Sequence, residues 1–323
     1  MLEATLSRAP QKLQLSRKEK LVNGKPTQVG CVEINGQIYT FGGMPLSLIS
    51  LEDEWYEDVN DPDSVISALA DSEIKPDIFT FWQRVPDTEP LHEYYMEWES
   101  LAVLPIKGFD YWWNQQAKGT TRNMVRKSQK AGVEVRQATF DDNFVRGMVD
   151  IFNEVPVRQG FRFWHYGKDS ETVKREFSQF LFREDLIGAY YQGELIGFAM
   201  LANAGRYGVM GQFIAKMQHR DKATNNALMA KTVEVCAERQ LPYLVYTTWR
   251  ETSLVDFKRY SGFQEMRVPR YFIPLSGKGK LALKLGFHRG LKDRLPNVVR
   301  QPLKRLRKHW YNVRWPLVNF GKQ

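Results

Sequence analysis

The 323-residue chain has little of what anchors covalent or metal chemistry. Its two cysteines, Cys31 and Cys236, stand far apart in unrelated contexts, so they give neither metal-ligand spacing nor a framework of bridges and point to a reducing compartment. No Ser-His-Asp order, no His/Cys/Asp/Glu cluster and no P-loop is readable, which sets aside triad hydrolases, metalloenzymes and P-loop nucleotide enzymes. No stretch of about 18 apolar residues occurs, and the opening "MLEATLSRAPQKLQLSRKEK" lacks the apolar centre of a secretory signal. The expected location is cytoplasmic. Internal repeats and low-complexity linkers are also missing. One further absence is local: residues 217 to 227, between a buried strand and a long helix, contain no glycine.

What is present suffices for a globular protein. With 43% hydrophobic and 13% aromatic residues, a chain of this length can bury one large core or two. The net charge of +9 is unevenly placed. From Ser276 onward thirteen Lys and Arg face Asp293 alone, a net of +12 that leaves the first 275 residues near −3. The body is therefore no general polyanion binder, and the positive charge belongs to a basic tail.

Signals for secondary structure fall into two successive mixed α/β blocks. In the first, "VGCVEI" and "QIYTFGG" flank Asn35-Gly36, a two-residue hairpin signal. "DPDSVISALADS" combines an Asp cap with proline at the first helical position, and "DIFTFWQRV" and "YYMEWESLAVLPI" predict aromatic-rich strands. One helix is expected over residues 109–131, closing at Gly132. The second block predicts the strand "VEVRQA", an apolar-striped helix, the loop "PVRQGFRFWHYGKD", a helix near Ser170 and three strands with turns at Gly193 and Gly205. A long helix, the strand "YLVYTTW", a short helix and a last strand complete it.

Three groups of residues stand out. A glycine-free loop before a helix suits either a loose anion site in place of a close-fitting phosphate cradle, or an ordinary capped helix start behind a polar loop. Its residues are Gln218, Arg220, Lys222, Thr224, Asn225 and Asn226, with Thr224 or Asn225 as cap and Arg220 and Lys222 as charges. Arg122, Arg126 and Lys130 fall four apart on one helix face, suited to an anionic ligand or simply to solvent. The loop from Val157 to Asp169 mixes Arg158, Arg162, His165 and Lys168 with Phe161, Phe163, Trp164 and Tyr166. Such a mixture can stack on a ring while pairing a phosphate, or pin the loop to the core. His165 is the best-placed histidine for acid or base work. Glu154, Asp142 and Glu194 are acids that could accept a proton, without rank among them.

The order of elements in the second block resembles the GNAT acyltransferase fold, and "DFKRYSGF" is similar to its late helix. A sharper resemblance lies in "TTRNMVRKSQKAGVEVR", which is similar to the basic segment joining the tandem halves of Fem-type peptidyltransferases. Arg122, Arg126, Lys127, Lys130, Gly132 and Val133 carry that likeness. The resemblance implies tandem GNAT-like halves around a cleft, each a mostly antiparallel sheet flanked by helices. Residues 30–131 would form a degenerate first half and 132–275 the acyltransferase half, after a polar segment 1–29 and before a basic helical tail 276–323.

It further implies that Phe257-Lys258 matches a Phe-Lys pair facing phosphates of the acceptor, with Lys258 as the catalytic cation. Tyr260, placed two positions beyond the tyrosine used by CoA-dependent enzymes, joins Phe257 as a substrate contact. No tightly bound cofactor is expected. The donor is an aminoacyl-tRNA or an acyl-CoA, and the acceptor an amine of a cell-envelope or exopolysaccharide precursor. A CoA-dependent N-acetyltransferase and an inactive precursor-binding scaffold stand as alternatives. In the tail, residues 277–315 set leucines and tryptophans among Lys and Arg, a pattern suited to an anionic membrane surface on the cytoplasmic side, to tRNA, or to packing back on the slightly acidic body.

Overall fold

A computed structural model describes residues 13–22, 25–158, 161–179, 181–249 and 254–289. The described chain divides into two compact units, residues 13–99 with 268–289, and Ser100–Arg267.

The first unit begins with strands β1 (Leu15–Val22), β2 (Lys25–Ile34), β3 (Gln37–Gly42) and β4 (Leu48–Leu51), paired antiparallel in that order. The expected turn closes β2 and β3, with Asn35 at φ 53 and Gly36 at φ 76 supplying two left-handed residues. Within the expected polar segment, Leu15–Val22 pairs antiparallel with Lys25–Ile34, so a polar composition does not prevent strand pairing. Helix α1 (Pro62–Ala70) starts where Asp61 accepts the Ser64 N–H at 3.1 Å, and leads to β5 (Ile78–Trp82), which runs parallel to β4. All five β5 residues are buried because both faces are covered. Phe79 and Phe81 join Tyr39, Ile49 and Leu69 on one side, while Ile78 meets Phe272 and Ala282 on the other.

Strand β6 (Met96–Pro105) carries the chain into the second unit. The helix expected over 109–131 is broken. Helix α2 (Phe109–Tyr111) passes into a π turn (Trp112–Gln116), closed by Ala117 N–H on Trp112 O at 2.8 Å, and α3 (Gly119–Lys130) starts afresh. The extra residue in the turn seats Trp112 fully in the core, where its Nε1 donates to Ser261 O at 2.9 Å. Gly132, at φ 80, ends α3 as expected. Then come β7 (Glu134–Ala138), α4 (Asp142–Asn153), a two-strand ribbon of β8 (Val157–Arg158) and β9 (Phe161–Arg162), and α5 (Ser170–Ser178). Asp169 caps α5 by accepting the Thr172 N–H. Strands β10 (Glu184–Tyr191), β11 (Glu194–Asn203) and β12 (Gly208–Ala215) are antiparallel neighbours. Helix α6 (Thr224–Glu238), β13 (Tyr243–Thr248), α7 (Val255–Tyr260) and β14 (Gln264–Pro274) follow, and α8 (Gly277–Lys284) packs in the first unit.

Each unit repeats one plan. Three antiparallel strands lead through a helix to a strand parallel to the third, and a further antiparallel strand lies beside it. In the first unit the series is β2, β3, β4, α1, β5 and the Arg270–Pro274 part of β14. In the second it is β10, β11, β12, α6, β13 and the Leu101–Pro105 part of β6, with β7 outside β10. The final strand of each sheet thus comes from the other half of the sequence. That exchange displaces the division expected at residue 131: α3 belongs to the second unit, and residues after 268 return to the first.

The start of the basic tail is fixed to acids of the first unit. Ser276 caps α8, and Asp77 accepts from Ser276 Oγ at 2.8 Å and Lys278 Nζ at 3.0 Å. His288 and Arg289 converge on Glu97. The remainder of the expected tail, residues 290–323, lies outside the described residues.

Arg270 pairs with two carboxylates of the first unit. It donates to Glu99 at 2.6 Å and to both oxygens of Glu54 at 3.1 Å, with 21% of its side chain exposed. Arg270→Ala would leave two carboxylates uncompensated. A loss of roughly 2–3 kcal/mol is expected in urea unfolding, below the cost for a fully buried network because water reaches the group.

Candidate functional site

Strands β12 and β13 run side by side but pair only at Gly208 with Leu244 and Val209 with Val245. Beyond that point β13 bulges: its register against β6 shifts between Val245 and Thr248, and Thr247 takes a left-handed φ of 51. The carbonyls turned aside by the bulge receive the ammonium of Lys258, which donates to Tyr246 O at 3.0 Å and Thr248 O at 2.9 Å. Lys258 is 5% exposed, and burial lowers its pKa to about 8. The strands therefore diverge, and a cavity of about 690 Å³ opens in the gap. That volume suits a small-molecule site.

The cavity has an apolar floor and a polar end. Phe213 lies 5.6 Å from the Tyr246 ring and 5.9 Å from that of Phe257. The polar end is the start of α6. Thr224 or Asn225 was the expected cap, but the cap position is Ala223, in a left-handed conformation and without a side-chain cap bond. The 3₁₀ turn Arg220–Lys222 runs directly into Ala223, so the chain reverses there and Thr224 already lies inside the helix. The Thr224 hydroxyl is buried with no hydrogen-bond partner on the cavity wall. Gly197 on β11 allows this approach, since a Cβ there would stand 3.0 Å from the Thr224 methyl. The helix presents its positive end to the space.

The structure brings together Arg158, Arg162, Trp164, Arg220, Thr224, Asn225, Asn226 and Phe257 on this lining. It leaves the other expected residues elsewhere. Lys258 stands behind the wall, serving the bulge. Lys222 sits 4.4 Å above the Tyr191 ring beside Asp221. Arg122 closes the π turn by donating to Trp113 O and Ala117 O, and Arg126 lies over Trp113 at 5.5 Å. Tyr166 and Tyr260 are exposed away from the cavity; the backbone of Tyr260 accepts from Thr121 Oγ at 2.9 Å. The sequence reading missed Gln212, Phe213 and Tyr246, which would have been found by looking at the C-terminal ends of adjacent parallel strands.

Arg158 lines the cavity, yet its charge is committed. Its terminal nitrogens donate to Ala215 O at 2.9 Å, Ile151 O at 2.8 Å and Glu154 at 3.0 Å. Glu154, just past the end of α4, also accepts the Met217 and Gln218 N–H groups, each at 2.7 Å. The other acids considered as bases are paired too, Asp142 with Lys174 and Glu194 with Lys216.

His165 is 1% exposed and stacks on Phe152, ring centroids 4.2 Å apart. Burial, aided by Lys168, lowers its pKa to about 3, so it stays neutral near pH 7 and makes a poor base. Lys168 Nζ stands 3.4 Å from Nδ1 and the Gln212 amide nitrogen 3.5 Å from Nε2, so a donor faces each ring nitrogen. Its place is that of a packing residue behind the wall. Among the described residues no group of His, Cys, Asp and Glu could hold a metal ion, and no helix is long and apolar enough to cross a membrane.

Glu184 on β10 was not singled out in the sequence. Burial pushes its carboxyl up to about 7, and one carboxyl oxygen has no hydrogen-bond partner. Between the ordinary value of 4.5 and about 7 the folded chain keeps a proton that the unfolded chain has lost, so stability falls as pH rises through that window. Glu184→Gln is expected to change the unfolding free energy little at about pH 4.5 and to raise it by roughly 2–3 kcal/mol at about pH 8, measured by urea melts at both values.

No family model and no curated protein matches this sequence. Solved structures do. The C-terminal domain of a protein described as a lysylphosphatidylglycerol synthetase from Agrobacterium fabrum aligns at 13% identity over 79% of this chain and 87% of its own, with a TM-score of 0.51. FemX aligns at 11% identity over 80% and 88%, TM-score 0.49, and L-PGS from Bacillus licheniformis at 12% over 75% and 83%, TM-score 0.49. The repeated strand plan and the likeness to the Agrobacterium domain agree: this chain has a mixed α/β fold shared with that domain.

Proposed function

We propose that the chain is an N-acyl or aminoacyl transferase of Fem-like type, acting on an amine of a cell-envelope or exopolysaccharide precursor. The observation that carries this reading is the cavity in the gap between β12 and β13, with an apolar floor and the uncapped start of α6 at its polar end. Past Val209, β12 has no β13 residue paired to it, so an extended donor can lie along the strand and hydrogen-bond its backbone. The amine nitrogen bonds to the donor carbonyl carbon, the bond from that carbon to the donor's oxygen or sulfur breaks, and the amine's surplus proton passes to the leaving atom. Such a reaction asks mainly for fixed approach and a polarised carbonyl. Tyr246, whose pKa burial raises to about 12, remains a protonated hydroxyl on the wall and is our candidate for protonating the leaving atom. Phe257 and Trp164 supply ring faces, and Arg162 and Arg220 the cationic rim.

The aminoacyl-tRNA reading is favoured over acyl-CoA by the glycine-free loop and the Ala223 side chain at the helix start. Incubation of an amine acceptor with charged tRNA and, separately, with acyl-CoA should give transfer from the charged tRNA. A matching ligand at 100 times its Kd should also add roughly 2.7 kcal/mol to stability. Asn226→Glu, which puts a carboxylate at the polar end, should lower kcat/KM at least tenfold by about 1.4 kcal/mol or more of lost transition-state binding, while the circular dichroism spectrum stays unchanged. Absence of transfer from every donor would overturn the reading.

The acceptor would be met at an anionic membrane surface through residues 277–315. Within the described part, α8 and the turn after it expose Leu281, Leu285 and Phe287 beside Lys280 and Lys284. Full-length protein is expected to sediment with phosphatidylglycerol vesicles at low salt, and a chain ending at Arg289 to sediment less. Protection of the tail from proteolysis by tRNA but not by vesicles would replace the membrane with nucleic acid.

A further inference from the structure

The β12–α6 loop already holds an anion, and that anion is part of the protein. Backbone N–H groups in succession form a natural seat for phosphate or carboxylate oxygens. Here the seat is made by Met217 and Gln218, and the Glu154 carboxylate fills it: Oε2 accepts from Met217 N and Oε1 from Gln218 N, both at 2.7 Å. The Arg158 guanidinium completes the arrangement, donating to Glu154 at 3.0 Å and to the β12 end carbonyl of Ala215 at 2.9 Å. Glu154 and Arg158 are 7% and 14% exposed at the side chain, so the pair is a packed part of the wall and not a surface contact. Met217 and Arg158 both line the cavity, which places the pair at its edge, on the side where Arg220 stands.

We infer that Glu154 and Arg158 form a built-in plug that shuts the Met217–Gln218 amides to a diphosphate and thereby sets donor choice. The inference rests on the reading of this cavity as the donor site. A donor bearing a diphosphate next to its acyl arm would meet a carboxylate where its oxygens need amide N–H groups. Like charges at contact distance reject such a donor, and the two amides gain nothing from it because they are already satisfied. A donor without a diphosphate near its acyl group is untouched by the plug. The same geometry makes the seat latent: removing the carboxylate frees two N–H groups beside a guanidinium that keeps its charge while the Ala215 and Ile151 carbonyls hold it in place, the set that recognises phosphate.

Inorganic pyrophosphate is the probe, because its binding needs no acyl transfer. Titration calorimetry on the full chain should show no saturable binding in the wild type at millimolar concentration. Glu154→Gln and Glu154→Ala should each bind it at least tenfold more tightly, and Arg158→Met added to either should abolish the gain. The plug is overturned if the wild type binds as tightly as the variants, if a folded variant gains nothing, or if the gain survives loss of Arg158. Melting curves report whether each variant is folded. Should neither fold, the wild type decides: saturable binding there shows that the seat is not plugged, and its absence at millimolar concentration sustains the inference. The transfer reaction is judged separately, since pyrophosphate can bind the variants whether or not any donor reacts.

Discussion

The buried ammonium of Lys258 is the contact on which the site depends. A bulge in β13 turns the carbonyls of Tyr246 and Thr248 away from the ladder, and each would be left in a low-dielectric region without a donor. Lys258 satisfies both with one group. The bulge ends the pairing of β13 with β12 after two residue pairs, and the gap becomes a cavity. A lysine kept in that position near neutrality holds its proton because two carbonyl dipoles favour the charge, while burial works against it. The residue shapes the wall from behind, a role that its place in a sequence motif does not reveal.

Lys258 is one case of a wider use of cations in the second unit. Arg122 closes the π turn, Arg158 ties α4, β12 and Glu154 together, and Lys216 pairs with Glu194. Each satisfies backbone carbonyls or a carboxylate that the fold would otherwise strand. Cations that stand free in a sequence therefore read as ligand-binding charge, although the folded chain has already committed them. At the start of α6, Arg220 lines the cavity beside an uncapped helix end whose dipole adds to its charge.

The repeated plan has a similar physical logic. Each unit closes its sheet with a strand that is neighbour in sequence to the other unit's strands, β6 for the second and β14 for the first. In each case the borrowed strand covers the edge of the parallel strand that follows the crossover helix, an edge that would otherwise expose unpaired backbone groups. The exchange also makes the two units depend on residues far apart in the chain, and no composition shift at a single position could mark a boundary between them.

The sequence by itself determined what short-range chemistry controls. The Asn35-Gly36 turn, the Asp61-Pro62 helix start, the end of α3 at Gly132 and the order of three antiparallel strands followed by a long helix all rest on neighbours within a few residues. It also pointed to Arg220, Asn225, Asn226 and Phe257, because strand ends and helix starts can be read locally. Only the tertiary structure decided the rest. Ala223 became the cap because a 3₁₀ turn delivers it there, Glu154 met Met217 and Gln218 across more than sixty positions, and β6 and β14 changed units. These outcomes depend on which distant backbone groups remain unsatisfied after the strands have paired, and that is fixed by packing, which no local pattern encodes.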